Sequence, residues 1–426
     1  MIIMKLLIKK AKICYPGHKL HGKTQDVIVE SGKIQSIASS LKNPENYKEI
    51  TSKNLHLSPG WLDLKANLGE PGFEERETLE SGMKAAAAGG FTGVCVSPDV
   101  QPFSDNRSSI EFVSRAGEGK SVTLYPLGAL SKGGKGEELA EMFDMHNSGL
   151  VGAVAFTDNK PVTNAKFQLL LQQYSQNFDG LIYSFPMNLE LAGKGNVSEG
   201  ETSTYLGLKG IPHLAEEISV ARDLQILEYA GGRLHFSDIS SAESAKLIGN
   251  AKKSKLNATA SVAWYHLIFN DTVLEGFDSN YKVLPPLRTE SDRKGLIKAL
   301  KEGKIDAITS NHQPQNIERK ECEFEYAGYG INGLQVVFAA LNTFAKELDL
   351  DTLIESLGIR PYQVLNKETP SLEEGSNANF TLFDPSEKWT YDKTNNQSLA
   401  ENNPLLGTEF TGKVLGTVNG KVSSTF

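Results

Sequence analysis

A parallel (β/α)8 barrel carrying a small β-sandwich made from both chain ends is the fold this sequence predicts, on three observations. Between about Pro59 and Pro361, eight short apolar runs alternate with helical segments, the pattern of βα units in a parallel sheet. Before Ser58 and after Pro361 the chain is β-type, with tight turns and no helix to cover it. A length of 426 residues holds one barrel of ~250 residues and an attached smaller domain. Domains are therefore expected at 1–58 joined with 362–426, and at 59–361.

The N-terminal part reads as LLIKKAKI, then DVIVESGKIQSI with a hairpin turn at Ser31-Gly32, then KEI and LHLS. Met1 to Ile13 has only a few apolar residues before Lys9-Lys10 and no small-residue cleavage site, so it reads as a strand rather than a signal. The barrel strands are WLDLKANL, Thr92–Asp99, Val122–Leu130, Gly152–Asp158, Gly180–Pro186, Gly232–Ile239, Ala258–Leu267 and Asp306–His312. Between them lie helical stretches such as ETLESGMKAAAAG, NAKFQLLLQQYSQ, HLAEEISVARDLQILEYAG and ESDRKGLIKALKEG. Beyond Pro361, ANFTLFDP, KWTYD and GKVLGTVNGKVSS, with a turn at Asn419-Gly420, supply the remaining strands of the sandwich.

A hydrophobic fraction of 39% and a charged fraction of 23% are those of an ordinary soluble globular protein. The net charge of -8 argues against a general nucleic-acid binder. Cys14, Cys95 and Cys322 are far apart and odd in number, as expected of reduced thiols in the cytoplasm. No apolar run reaches the ~18 residues of a membrane span.

Polar residues gather at the C-terminal ends of the expected strands, where barrel sites lie: Lys65, Asn67, Asp99, Asp158, Asp238, Asn311 and His312. Taken singly, each also fits a strand-end or helix-capping role. The stretch from Ser58 to Gly72, with its Asp63, Leu68 and Glu70-Pro71-Gly72, resembles the first barrel strand of the dihydroorotases, D-x-H-x-H-L-R-E-P-G. Further blocks carry the resemblance nearly end to end: GFEERETLESGMKAAAAGGFTGVCVSPDVQP, NVSEGETSTYLGLKGIPHLAEEISVARD, YKVLPPLRTESDRKGLIKALKEGKIDAITSNHQPQ and FEYAGYGINGLQ. It implies the metal-dependent hydrolase type of barrel. It also implies the hydrolysis or closure of a cyclic amide by zinc-bound hydroxide, with an aspartate moving the proton.

The same resemblance shows where the chemistry is missing. The two first-strand histidines match Lys65 and Asn67, the fifth-strand histidine matches Phe185 and the sixth-strand histidine matches Asp238. The eighth-strand aspartate, the family's base, matches Asn311. Substrate-binding positions read Gly69 for arginine, Asp99 and Leu284 for asparagines, and Gln315 for a histidine. Asp158, at a carboxylate-ligand position, and His312 are retained. Ammonium, phenyl and amide groups are not the N, S or carboxylate donors zinc takes, and an amide is no general base near neutral pH. No bound cofactor is therefore expected, whereas active family members hold zinc.

His213, His235, His266 and Tyr265 have no metal-site spacing, and His235 and Asp238, three apart on a strand, are expected on opposite faces. Lys65 either points into the former metal site, near Asp158 or Asp238, or reaches solvent. Two functions follow. The first is a non-catalytic partner or regulator, possessing the family's fold without its metal site, for which aspartate transcarbamoylase is the first partner to test. The alternative is an active dihydroorotase or related cyclic amidohydrolase with an atypical site. Apolar exterior helices also leave room for a homo-oligomer.

Overall fold

The computed structural model describes residues 4–44 and 47–425; the first residues of the expected N-terminal strand, Met1 to Ile3, lie outside them. Eight parallel strands run in the order Trp61–Ala66, Phe91–Val96, Thr123–Gly128, Ala155–Phe156, Leu181–Ser184, Arg233–Phe236, Ala258–Ala263 and Ala307–Thr309. A parallel bridge from Ala66 to His312 closes the barrel. All six residues of the first two strands are buried, as they must be in a sheet covered by helices on one face and packed on the other. Helix starts follow capping chemistry. Thr78 forms a capping box with Ser81 ahead of Leu79–Ala88, Asn164 caps Ala165–Ser175, and Thr289 caps Glu290–Lys301.

Both chain ends build one eight-stranded sheet. Its path is Val422–Thr425, Glu409–Asn419, Asn379–Thr390, His56–Pro59, Lys5–Ile13, Thr24–Glu30 and Lys33–Ala38, with Lys48–Ile50 paired to Lys5–Ile13. The sheet curls until Lys33 bridges Asn377, enclosing Leu6, Ile8, Val27, Val29, Phe380 and Leu382. The Ser31-Gly32 turn has positive φ at both residues (53° and 82°), the conformation that matches strand twist in two-residue hairpins.

Several elements differ from expectation. KWTYD is not a separate strand but the end of Asn379–Thr390, whose register shifts between Asp384 and Lys388. The turn expected at Asn419-Gly420 sits one residue on, because Asn419 pairs with Val422. GAVAFTD yields only Ala155–Phe156, since Asp158 turns back to bind the backbone of Leu130 and Ser131. Trp264–Leu267 leaves the seventh strand as a 3-10 turn. Residues 391–407 do not join the sheet. They lie over the barrel, where Asn402 Nδ2 donates to the carbonyls of Gln313 and Gly330, and Asn403 to that of Asn332.

Candidate functional site

Polar side chains collect inside the upper part of the barrel. Lys65, the second-last residue of the first strand, is buried, and its Nζ lies 3.1 Å from Asp238 Oδ2. The ammonium also sits 5.3 Å from the centre of the Phe185 ring. Asp238 is fully buried; its Oδ1 accepts from Thr309 Oγ1 at 2.5 Å and Ser261 Oγ at 3.2 Å. Burial pushes this carboxyl up, but Lys65 and the Thr309 hydroxyl outweigh it and hold the pKa below the ordinary value. Of the two carboxylates expected near Lys65 it is Asp238 that meets it, and the solvent-facing alternative is excluded.

Asp158 is used elsewhere. Its carboxylate accepts from the backbone amides of Leu130 (2.8 Å) and Ser131 (3.1 Å) and from the Ser131 hydroxyl. Asn67 is a turn residue: its Oδ1 accepts from Gly69 N at 2.9 Å. Gly69 has φ +69°, and a Cβ there would lie 2.5 Å from the Glu77 carbonyl and 2.7 Å from that of Phe73. The loop therefore has no room for an arginine at this place.

Asn311, buried and at φ 36°, donates Nδ2 to Tyr265 Oη at 2.7 Å, while its Oδ1 finds no partner. Asp99 Oδ2 accepts from Asn159 Nδ2 at 3.0 Å; burial raises this carboxyl against that hydrogen bond. Leu284 packs against the apolar cluster of Phe185, Met187 and Ile211. Lys65, Lys160, Phe185, Tyr265, Asn311 and Tyr329 line a mouth cavity of about 200 Å³. Gln315 does not reach it. Its side chain donates to Tyr329 O at 2.9 Å and lines a separate groove of about 690 Å³ beside Asn402.

The histidines weighed as ligands each have a polar neighbour. His312 Nε2 pairs with Glu77 at 3.2 Å, and its Nδ1 accepts from the amides of Gly333 and Leu334. His213 binds Asp292 at 2.9 Å, and His266 faces the Pro285 carbonyl at 3.2 Å. His235 does not oppose Asp238. Both reach Ser261 Oγ, because the strand ends at Phe236 and Asp238 takes φ +57°, which breaks the alternation. Burial pulls the His235 imidazole down to about 3. Among the described residues, no three His, Cys, Asp or Glu side chains gather as metal ligands.

Sequence reasoning missed Asp63, Lys160 and Tyr329. Asp63 is fully buried, accepts from the Ser310 amide at 2.8 Å and from its hydroxyl, and is pushed by burial up to about 7. Its place in the D-x-(H) strand motif was the available signal. Tyr329 is carried by a loop that two buried lysines hold down. Lys282 Nζ donates to the Phe324 and Glu325 carbonyls, and Lys320 Nζ to those of Ser279 and Gly328, all at 2.8 Å.

The arrangement of barrel and chain-end sheet matches that of solved hydantoinase and dihydropyrimidinase structures. The L-hydantoinase (dihydropyrimidinase) of Arthrobacter aurescens superposes with a TM-score of 0.85 at 20% identity, covering 99% of this chain and 96% of that one. Dihydropyrimidinase from Brevibacillus agri NCHU1002 gives 0.83 at 19%, covering 99% and 95%. At such identities these define the fold alone, a parallel barrel with an attached sheet. A dihydroorotase of Syntrophus aciditrophicus is 37% identical over 425 residues, spanning 98% of this chain and 99% of its own. One from Geobacter metallireducens is 36% identical over 423 residues, with the same coverage. The family described as Dihydro-orotase-like matches residues 55–244. The chain belongs to the dihydroorotase family. Among the described residues no helix is long and apolar enough to cross a membrane.

Proposed function

We propose that this chain is a non-catalytic dihydroorotase homologue, in which the Lys65–Asp238 ion pair stands where its relatives place a metal, and that it serves as a cytoplasmic partner or regulatory protein. The single observation that supports this is the 3.1 Å approach of the Lys65 ammonium to Asp238 inside the barrel mouth. A fixed cation there repels a divalent ion, and the surrounding side chains, Asn67, Phe185 and Asn311, do not fit zinc, whose sites use N, S or carboxylate ligands. With Asn311 bonded to Tyr265, no base remains at the position that would activate water.

By family resemblance, aspartate transcarbamoylase is the first partner to test. Metal content of the purified protein, measured beside dihydroorotate hydrolysis, tests the loss of catalysis: below ~0.1 equivalent of zinc with no turnover is expected, against the three or four protein ligands a working site needs. Stoichiometric zinc with turnover overturns the reading. Co-purification with aspartate transcarbamoylase tests the partner separately. The alternative, an active cyclic amidohydrolase with an atypical site, draws on the name dihydroorotase that the 37% and 36% identical relatives carry, and the same assay decides it.

A further inference from the structure

The mouth cavity of about 200 Å³ is lined by two lysines, Lys65 and Lys160, and by no carboxylate. The aspartates around it are paired or turned away. Asp238 faces Lys65, Asp99 accepts from Asn159 at 3.0 Å, and Asp158 is held by the Leu130 and Ser131 amides. Burial raises the carboxyls of Asp99 and Asp158, which disfavours their charged forms. The donors on the cavity wall are not used up. An ammonium carries three N–H bonds, and that of Lys65 meets only Asp238 Oδ2 and the Phe185 ring. Tyr265 Oη accepts from Asn311 Nδ2 at 2.7 Å, so its own hydrogen is left for a further acceptor. Lys160 is exposed, with its ammonium 5.6 Å from the centre of the Phe103 ring. Pro161, Phe185 and Leu284 make the rest of the wall apolar.

We infer that the barrel mouth binds a small organic monocarboxylate, its charged end on Lys65 and the Tyr265 hydroxyl, with Lys160 adding a second positive charge and Phe185, Pro161 and Leu284 taking the apolar body. Hydrogen bonds from an ammonium to a carboxylate are about twice as strong as neutral ones, and a mostly apolar pocket with a few converging polar groups is the usual form of a small-molecule site. A ligand offering N–H groups finds less here, because the orphaned acceptor, Asn311 Oδ1, is sealed from solvent. Size sets a further limit. An apolar cavity of ~150 Å³ holds benzene, so the space at this mouth admits about one ring or a short branched chain beside the carboxylate. The inference rests on the proposed absence of a metal beside Lys65.

Titration calorimetry on the full-length protein tests it, with benzoate as the probe and zinc content measured on the same sample. Benzoate is expected to bind with a Kd of ~1 mM or tighter, and benzamide, uncharged and of the same shape, at least ~10-fold more weakly. Lys65→Met with Asp238→Asn removes both charges at similar volume and should weaken benzoate ~10-fold or more. Lys160→Met, at an exposed position, should weaken it ~2–5-fold. Lys298→Met, at a 75% exposed site on the outer helix Glu290–Lys301, should leave binding unchanged. Melting profiles show which variants are folded, and if the double variant is not, the benzamide comparison and Lys160→Met decide. No measurable benzoate binding to zinc-free protein overturns the inference alone, as does benzamide binding equally well. Stoichiometric zinc overturns it together with the reading on which it rests.

Discussion

Two buried carboxylates lie near the upper rim of this barrel, each with a nitrogen partner, and they are finished to different degrees. In the first, Glu77 accepts from His312, from the Ser81 and Ser398 hydroxyls and from Leu399 N, so neither carboxylate oxygen is left without a donor. His312 uses both ring nitrogens. In the second, the Lys65 ammonium meets Asp238 Oδ2 at 3.1 Å without a well-aligned hydrogen bond, and it borders a cavity. A closed network of this kind positions chain segments: Glu77 precedes a barrel helix, His312 follows the last strand, and Ser398 belongs to the segment laid over the barrel. An open pair beside a cavity holds charge in place while leaving room for something else. One site is architecture. The other lies at positions that the family resemblance assigns to metal ligands.

Removing His312 breaks the closed pair most severely. His312→Ala deletes one donor to a sealed carboxylate and opens a void, and is expected to cost about 3–5 kcal/mol in urea denaturation. A loss under 1 kcal/mol, the range of an exposed pair, shows that the network is not structural. Gly69 sharpens the same point, since its missing Cβ faces the Glu77 carbonyl at 2.5 Å. Gly69→Ala combines a left-handed backbone with that collision, for an expected loss of ~2–3 kcal/mol. An alanine variant as stable as the natural protein means that the loop moves aside.

The fold was legible in the sequence, because strand and helix alternation is a local property. Where the retained groups point was not. Asp158 and His312 stand at family positions, yet both are committed to partners 27 or more residues away, Ser131 and Glu77, which no local pattern reveals. The parity argument that separated His235 from Asp238 failed for a related reason. It assumes an unbroken strand, and the chain leaves extended geometry after Phe236. Lys65 was readable because a cation in a buried strand needs a carboxylate, and only two were near in the pattern.

For the open pair a smaller loss is expected. Lys65→Ala leaves Asp238 without its cation but makes space for water from the mouth cavity, so about 2 kcal/mol is expected, below the ~3–5 kcal/mol of a sealed pair. Lys65→Met with Asp238→Asn removes both charges at similar volume and should lie within ~1 kcal/mol of the natural protein. A double variant less stable than Lys65→Ala alone would falsify the view that the pair is a replaceable charge balance.

Asp63 gives an effect with a sign to check. Burial raises its carboxyl to about 7, so between its unfolded value near 4 and pH 7 the native state binds the proton that the unfolded chain has released. The natural protein accordingly loses stability from this group as pH rises through that window, at no more than ~1.4 kcal/mol per pH unit, and the loss levels off above pH 7. Asp238 acts outside the window: its lowered pKa contributes stability above about pH 4 that disappears only in more acidic solution. The buried imidazoles of His235 and His266, lowered to about 3 and 4, oppose Asp63 between pH 4 and 6.5, but they are common to both proteins and cancel in a difference. Asp63→Asn keeps an acceptor for the Ser310 amide and has no proton to bind. Its stability minus that of the natural protein should therefore rise between pH 5 and 7 and stay flat from 7 to 8.5. Urea midpoints that run parallel across the whole range would place the Asp63 titration below pH 5 and remove the reason to regard the barrel interior as poised near neutrality.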